Sequence, residues 1–166
     1  KEIAAGQLQI LATDVGGSKR ARDCAEKTDA GLEIAVIDKR RDKDGSKAMK
    51  IIGTVSDTMI AYDDIGGTMG TLLDACAMSL EEGSKHMFGA ITHNVCSPKG
   101  GTSAEAKIAA AGIPIFTLDT VPRGKKYYKK NPLITRIPYE KFMAGLILEI
   151  MSVDGSVGQL TEEWVR

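Results

Sequence analysis

The sequence predicts an α/β domain of about five mainly parallel strands flanked by helices. Three observations carry this expectation. Short apolar runs alternate with segments of helical period along the whole chain, and glycine-rich turns stand where strand patterns hand over to helical ones. The 166 residues are also 43% hydrophobic, enough to fill one core, so residues 1–166 read as a single domain.

Leu8 to Ala12 is the first apolar run. The turn Asp14-Val15-Gly16-Gly17 follows it, and a helix is expected over Ser18 to Lys27. A strand is expected over Leu32 to Ile37, then a polar, basic loop from Arg40 to Lys47 and a further apolar run from Met49 to Val55. The strand Met59 to Tyr62 ends on Asp63-Asp64. The loop Gly66-Gly67-Thr68-Met69-Gly70-Thr71 then leads into a helix whose apolar positions Leu72, Leu73, Ala75, Cys76, Met78 and Leu80 suit one buried stripe, with Gly83 as its stop. A strand over His86 to Thr92, an alanine-rich helix near Ser103 to Ala111 and strands over Ile113 to Leu118 and Leu133 to Ile137 complete the sheet, and a helix from Tyr139 to Met151 closes the chain. The basic stretch Lys125 to Lys130 reads as a solvated loop.

Lys plus Arg and Asp plus Glu number 22 each, so no net field recruits nucleic acid or an anionic membrane, and partners must be recognised locally. Cys24, Cys76 and Cys96 are odd in number and contain no C-x-x-C pair. That argues against a disulfide framework or a zinc site and for a cytoplasmic setting. No apolar run approaches the ~20 residues of a membrane span; Phe142 to Leu148 stops at Glu149. The N-terminus lacks a basic-then-apolar signal pattern, so a soluble protein is expected; the chain opens on Lys1 rather than methionine and runs within a few residues into a strand pattern, which raises the expectation of a fragment.

In open α/β sheets ligands bind outside the carboxyl ends of the strands, so candidate residues are sought there. The acidic pair Asp63-Asp64 before a small-residue loop with Thr68 and Thr71 offers unobstructed amides and two hydroxyls, a phosphate cradle at a helix N-terminus. The carboxylates would meet sugar hydroxyls, directly or through Mg²⁺. The same pattern also fits a turn with a capping aspartate. Lys39 and Arg41 can neutralise charge on a transferring phosphoryl group, although the segment taken alone also reads as a solvated basic loop. Asp14 could bring a carboxylate to a metal, or cap a turn. His93 ends a strand, and without a Cys/His grouping it is read as a pocket-wall or structural residue.

Taken together, these segments resemble one family. Ala12-Thr13-Asp14-Val15-Gly16-Gly17 with Arg20-Ala21-Arg22, then Val36-Ile37-Asp38-Lys39-Arg40-Arg41, then Asp63 to Thr71, Ile91-Thr92-His93 with Ser97, and Asp119-Thr120-Val121-Pro122 are similar, in order and nearly in spacing, to the motifs of ribose-phosphate diphosphokinases (phosphoribosyl pyrophosphate synthases), in their C-terminal half. The resemblance implies a type I phosphoribosyltransferase-like domain. It also implies an enzyme that transfers diphosphate from ATP to ribose 5-phosphate with Mg²⁺ and works as a homo-oligomer. Carried over by position, Lys39 is the catalytic lysine, with Arg41 beside it on the substrate phosphates. Asp63 and Asp64 hold the ribose, Gly67, Thr68, Met69, Gly70 and Thr71 cradle the 5-phosphate, and Asp14 faces a metal. Gly67 stands where the family has an aspartate, and Met69 where it has a small residue, usually glycine. The family's N-terminal half, with its ATP site, falls outside these residues, so the chain alone is expected to be inactive. A regulatory subunit without activity and a stand-alone phosphoribosyltransferase are the alternatives.

Overall fold

A computed structural model describes residues 8–28, 33–41, 47–152 and 154–165, and the chain divides into two compact units at Arg136. In the first unit, β1 (Leu8–Ala12) is buried from Gln9 onward, as a central parallel strand must be. It pairs in parallel with β2 (Ala35–Arg41) on one side and with β4 (Thr58–Ile65) on the other. β3 (Lys47–Ile52) lies antiparallel outside β2. β5 (His86–His93) and β6 (Ile115–Leu118) continue the parallel run beyond β4, and β7 (Ile134–Ile137) closes the far edge, giving the order β3-β2-β1-β4-β5-β6-β7.

Two cores sandwich this sheet. On one face α1 (Ser18–Lys27) sets Ala21 and Ala25 against Ile10 and Ala12, where the alanines let the helix lie close to the strands. On the other face α2 (Gly70–Glu81) and α3 (Ala104–Ala111) bury Leu72, Cys76 and Ile108 against Leu11, Met59 and Ile115. Each such aliphatic side chain contributes about 1.5–3 kcal/mol by leaving water. Ser103 caps α3 by accepting from the Ala106 N–H, and Gly112 ends it in the left-handed conformation at φ 67°.

The chain leaves β1 toward β2 and later returns to β4 on the opposite side. Strand order therefore reverses between β1 and β4, and their carboxyl ends flank the crevice where open sheets bind ligands.

Several expectations need correction. The sheet has seven strands rather than about five, because the antiparallel β3 and the short β7 occupy its edges. The second strand runs Ala35–Arg41, so Arg40 and Arg41 stand in a ladder with β3 rather than in a loop; residues 42–46 lie outside the described residues. Asp63 and Asp64 lie within β4, because pairing with β5 carries the strand on to Ile65 opposite His93. Leu80 is exposed rather than part of the buried stripe of α2. Lys125–Lys130 forms a short helix, α4, whose Tyr127 and Tyr128 pack against the core; its lysines are solvated.

The second unit pairs α5 (Glu140–Met151) with α6 (Val157–Val165), a helix beyond the one expected to close the chain at Met151. Gly145 lies against the Leu160 methyls, and Glu149 Oε2 accepts the Ser156 N–H at 2.8 Å, which fixes the turn between the helices. Among the described residues no helix is long and apolar enough to cross a membrane.

Candidate functional site

Consecutive residues of a strand face opposite sides of a sheet, and this alternation separates the two aspartates of β4. Asp63 is in step with Met59 and Ala61, which are buried in the α2 core. Its Oδ2 accepts from Thr13 Oγ1 at 2.8 Å, and its Oδ1 accepts from the Asp64 N–H at 2.9 Å. Thr13 is 1% exposed and follows directly on β1, so this bond ties β1 to β4 across the reversal point. Burial pushes the Asp63 carboxyl above the usual carboxylate range, while the two donated hydrogen bonds pull the other way. Asp64 is in step with Ile60 and Tyr62, which pack on the α1 core. There its Oδ2 meets Arg20 Nη2 of α1 at 3.1 Å, with both side chains about half exposed.

Beyond Ile65 the backbone turns into α2 through a loop fastened from behind. The Gly66 N–H donates to His93 O, the Cys96 N–H to Gly66 O and the Ser97 N–H to Gly67 O, each at 2.9 Å. A side chain at Gly66 would collide with Met69 Cε and Ile91 Cδ1. Met69, the residue before α2, is left-handed at φ 60° and only 3% exposed. Such a backbone costs a non-glycine residue roughly 1–2 kcal/mol. Burying the thioether in the α2 core offsets about as much. Met69 therefore enters the site by its backbone, with its side chain turned into the core. No side chain caps α2, and its first turn carries no acid, so the amide end of this helix is open to an anion. Asp63 and residues 65–72 line a pocket of about 210 Å³ at this point. Around Gly67 the space is open, with no heavy atom near the place a Cβ would take.

The pocket therefore gathers Asp63, Gly67, Thr68, Met69, Gly70 and Thr71, while Asp64, Lys39, Arg41 and Asp14 are not among its lining residues. β1 accompanies β2 only at Ala35 and Val36, and the ladder from Val36 to Arg41 belongs to β3, so Lys39 stands on a two-stranded ribbon. Lys39 is exposed and in step with Ala35 and Ile37, both buried in the α2 core, which puts it on the Asp63 side of the sheet. Arg41 ends β2 opposite Lys47, and its side chain lies outside the described residues. Asp14 is exposed, and its Oδ1 accepts the Gly17 N–H at 2.8 Å, closing the turn before α1. Among the described residues no three His, Cys, Asp or Glu side chains gather as a metal site.

The His93 ring is held at the neighbouring strand end. Its Nδ1 lies 2.8 Å from Thr120 Oγ1, and that hydroxyl in turn donates to Thr92 O at 2.9 Å. Sequence reasoning gave no role to Thr13, Arg20 or Lys107. Thr13 becomes visible only through strand register, which sets Ala12 beside Tyr62 and so Thr13 beside Asp63, and Arg20 only through the packing of α1 on the sheet, which brings it to Asp64. Lys107 of α3 reaches the loop across a long sequence separation, its Nζ 3.4 Å from Thr68 O.

This fold, with its acid-and-glycine loop at the reversal point, defines a phosphoribosyltransferase-type α/β domain. No family model matches the chain. It is 40% identical over 112 residues to a ribose-phosphate pyrophosphokinase of Brucella melitensis, a match covering 66% of this chain and 34% of that protein. It is 40% identical over 143 residues to the ribose-phosphate pyrophosphokinase of Bradyrhizobium diazoefficiens, covering 85% and 43%. Among solved structures, phosphoribosylpyrophosphate synthetase from Mycobacterium smegmatis superposes with a TM-score of 0.73 at 25% identity, covering 87% of this chain and 45% of that one. The chain is thus a relative of the ribose-phosphate pyrophosphokinases, and it spans less than half the length of these relatives.

Proposed function

We propose that the chain is the ribose-5-phosphate-binding part of a ribose-phosphate diphosphokinase, an enzyme that moves diphosphate from ATP to the anomeric hydroxyl of ribose 5-phosphate. The observation that carries this reading is the pocket where Asp63 meets the uncapped amide end of α2, on a chain that matches this family over most of its length. The 5-phosphate would take the backbone amides of Gly67 to Thr71 and the hydroxyls of Thr68 and Thr71, with helix dipole and hydrogen bonds acting together. Asp63 would accept from the ribose hydroxyls. Asp64, paired to Arg20, would act at the rim.

Lys39, exposed on the ribbon at the Asp63 side of the sheet, would stabilise the transferring group, with Arg41 on the substrate phosphates; phosphoryl transfer depends mostly on positioning and charge of this kind. Mg²⁺ would be held in the mode in which one or two carboxylates and the substrate phosphates share its coordination, with the exposed Asp14 as a carboxylate offered to it. When bound, it would supply positive charge against the phosphate oxygens. The three free thiols, Cys24, Cys76 and Cys96, support a reducing, cytoplasmic setting. Assembly into a homo-oligomer belongs to the same reading, as the resemblance to this family implies.

Calorimetric titration with ribose 5-phosphate tests the proposal. The chain should bind it weakly, and Thr68→Ala combined with Thr71→Ala should remove the binding. A folded chain that stays silent up to millimolar ligand, or a double variant that binds as well as the parent, would sink the reading.

A further inference from the structure

The proposed phosphate end of the pocket has a charge deficit. Asp63 is the one charged residue among those lining it, and its sign is wrong for an anion. The helix end offers roughly half an elementary charge, against about −1.5 to −2 on a sugar phosphate at neutral pH. A cation close to the loop would offset this deficit. Arg20 is committed to Asp64, Lys85 to Asp57 and Arg136 to Asp119, and Arg123 holds the carbonyls of Asn94 and Val95.

We propose that Lys107 of α3 supplies the positive charge that holds the phosphate in this pocket, an assignment that rests on the ribose-5-phosphate reading above. Its half-buried stem brings Nζ to 3.4 Å from the carbonyl of Thr68, inside the loop itself. That contact is longer than the ordinary range of about 2.7–3.2 Å for such a bond and engages one of the three ammonium donors. Among the described residues Lys107 forms no ion pair, so its charge is not cancelled locally. α3 packs beside α2, so the ammonium sits at the same end of the sheet as the open amides.

The test is titration of ribose 5-phosphate into the chain at low and high salt, for the parent, Lys107→Met and Lys107→Arg, with folding of each checked by circular dichroism. Lys107→Met keeps the stem and should weaken binding about ten-fold while flattening its salt dependence. Lys107→Arg, which keeps the charge, should stay within about three-fold of the parent. If Lys107→Met binds with the parent's affinity and salt slope, the assignment falls while the ribose-5-phosphate reading stands. An unchanged salt slope beside weaker binding overturns it too, since a structural role alone does that. Equal losses in Lys107→Met and Lys107→Arg overturn it by showing that shape, not charge, matters. A parent that does not bind ribose 5-phosphate overturns both.

Discussion

The two faces of the sheet treat the same chemistry differently. Asp63 and Asp64 are neighbours in sequence and identical in kind. On the α2 face Asp63 is partly buried, carries two donated hydrogen bonds and lines a pocket. On the α1 face Asp64 is half exposed and answered by Arg20. Here the doubled acid motif divides into one carboxylate that lines the pocket and one that pairs with α1, and the two stay close enough for Asp64 to add to the upward push on the Asp63 carboxyl. The α2 face also carries Lys39, Met69 and Lys107, while Asp14 and Asp64 stand at the turn and helix of α1.

The comparison breaks first if Lys39 proves dispensable. In the complete enzyme Lys39→Ala should lower kcat on the order of 10²–10³-fold, the scale of losing one preorganised group at a reacting centre, and leave KM for ribose 5-phosphate within a few-fold. Steady-state kinetics decides this, and a kcat near the parent's would return the ribbon to a solvated basic surface.

Met69→Gly comes next. Removing a buried Met side chain costs roughly 2–5 kcal/mol, and relief of the left-handed backbone returns roughly 1–2, so a net loss of about 0–4 kcal/mol is expected in urea unfolding. A net gain in stability would mean that the side chain does not anchor the loop.

Asp63→Asn should have a smaller effect, and one that depends on pH. Burial raises the folded-state pKa of Asp63, so the folded chain holds this proton more tightly than the unfolded one. Ionising the group then costs stability, and the cost grows as pH rises from the unfolded to the folded pKa and is full above it. Melting followed against pH should show Asp63→Asn gaining on the parent at neutral pH, with the gain fading in acid. The opposite trend would mean that hydrogen bonding outweighs burial at this carboxyl. The smallest change belongs to the other face: Arg20→Gln should cost less than about 1 kcal/mol and nothing measurable in high salt, as a half-exposed ion pair does.

Much of this was legible because local and global preferences agree. Leu8 to Ala12 and Ser18 to Lys27 were read to the residue, since an apolar run, a glycine turn and an amphipathic period coincide there. The loop from Gly67 to Thr71 was legible from its small residues and hydroxyls. The ribbon was not, because Asp38-Lys39-Arg40-Arg41 has the polarity of a loop and is held as a strand by β3. Helix α4 was missed for a related reason: four lysines hide the two tyrosines that pack it down. Thr13, Arg20 and Lys107 act through contacts 50, 44 and 39 positions away, respectively, which no local pattern encodes. The family's preference for a small residue where Met69 stands did mark the position of unusual backbone, although not that the thioether would turn inward.

The fastening of the loop has a kinetic consequence. Its carbonyls are tied to Cys96 and Ser97, its amide at Gly66 to His93, and its thioether plugs the core, so the cradle is shaped before a ligand arrives. A preformed cradle leaves little disorder to remove on binding. Association in this pocket should then proceed in a single step limited by encounter, without a slow rearrangement trailing behind it.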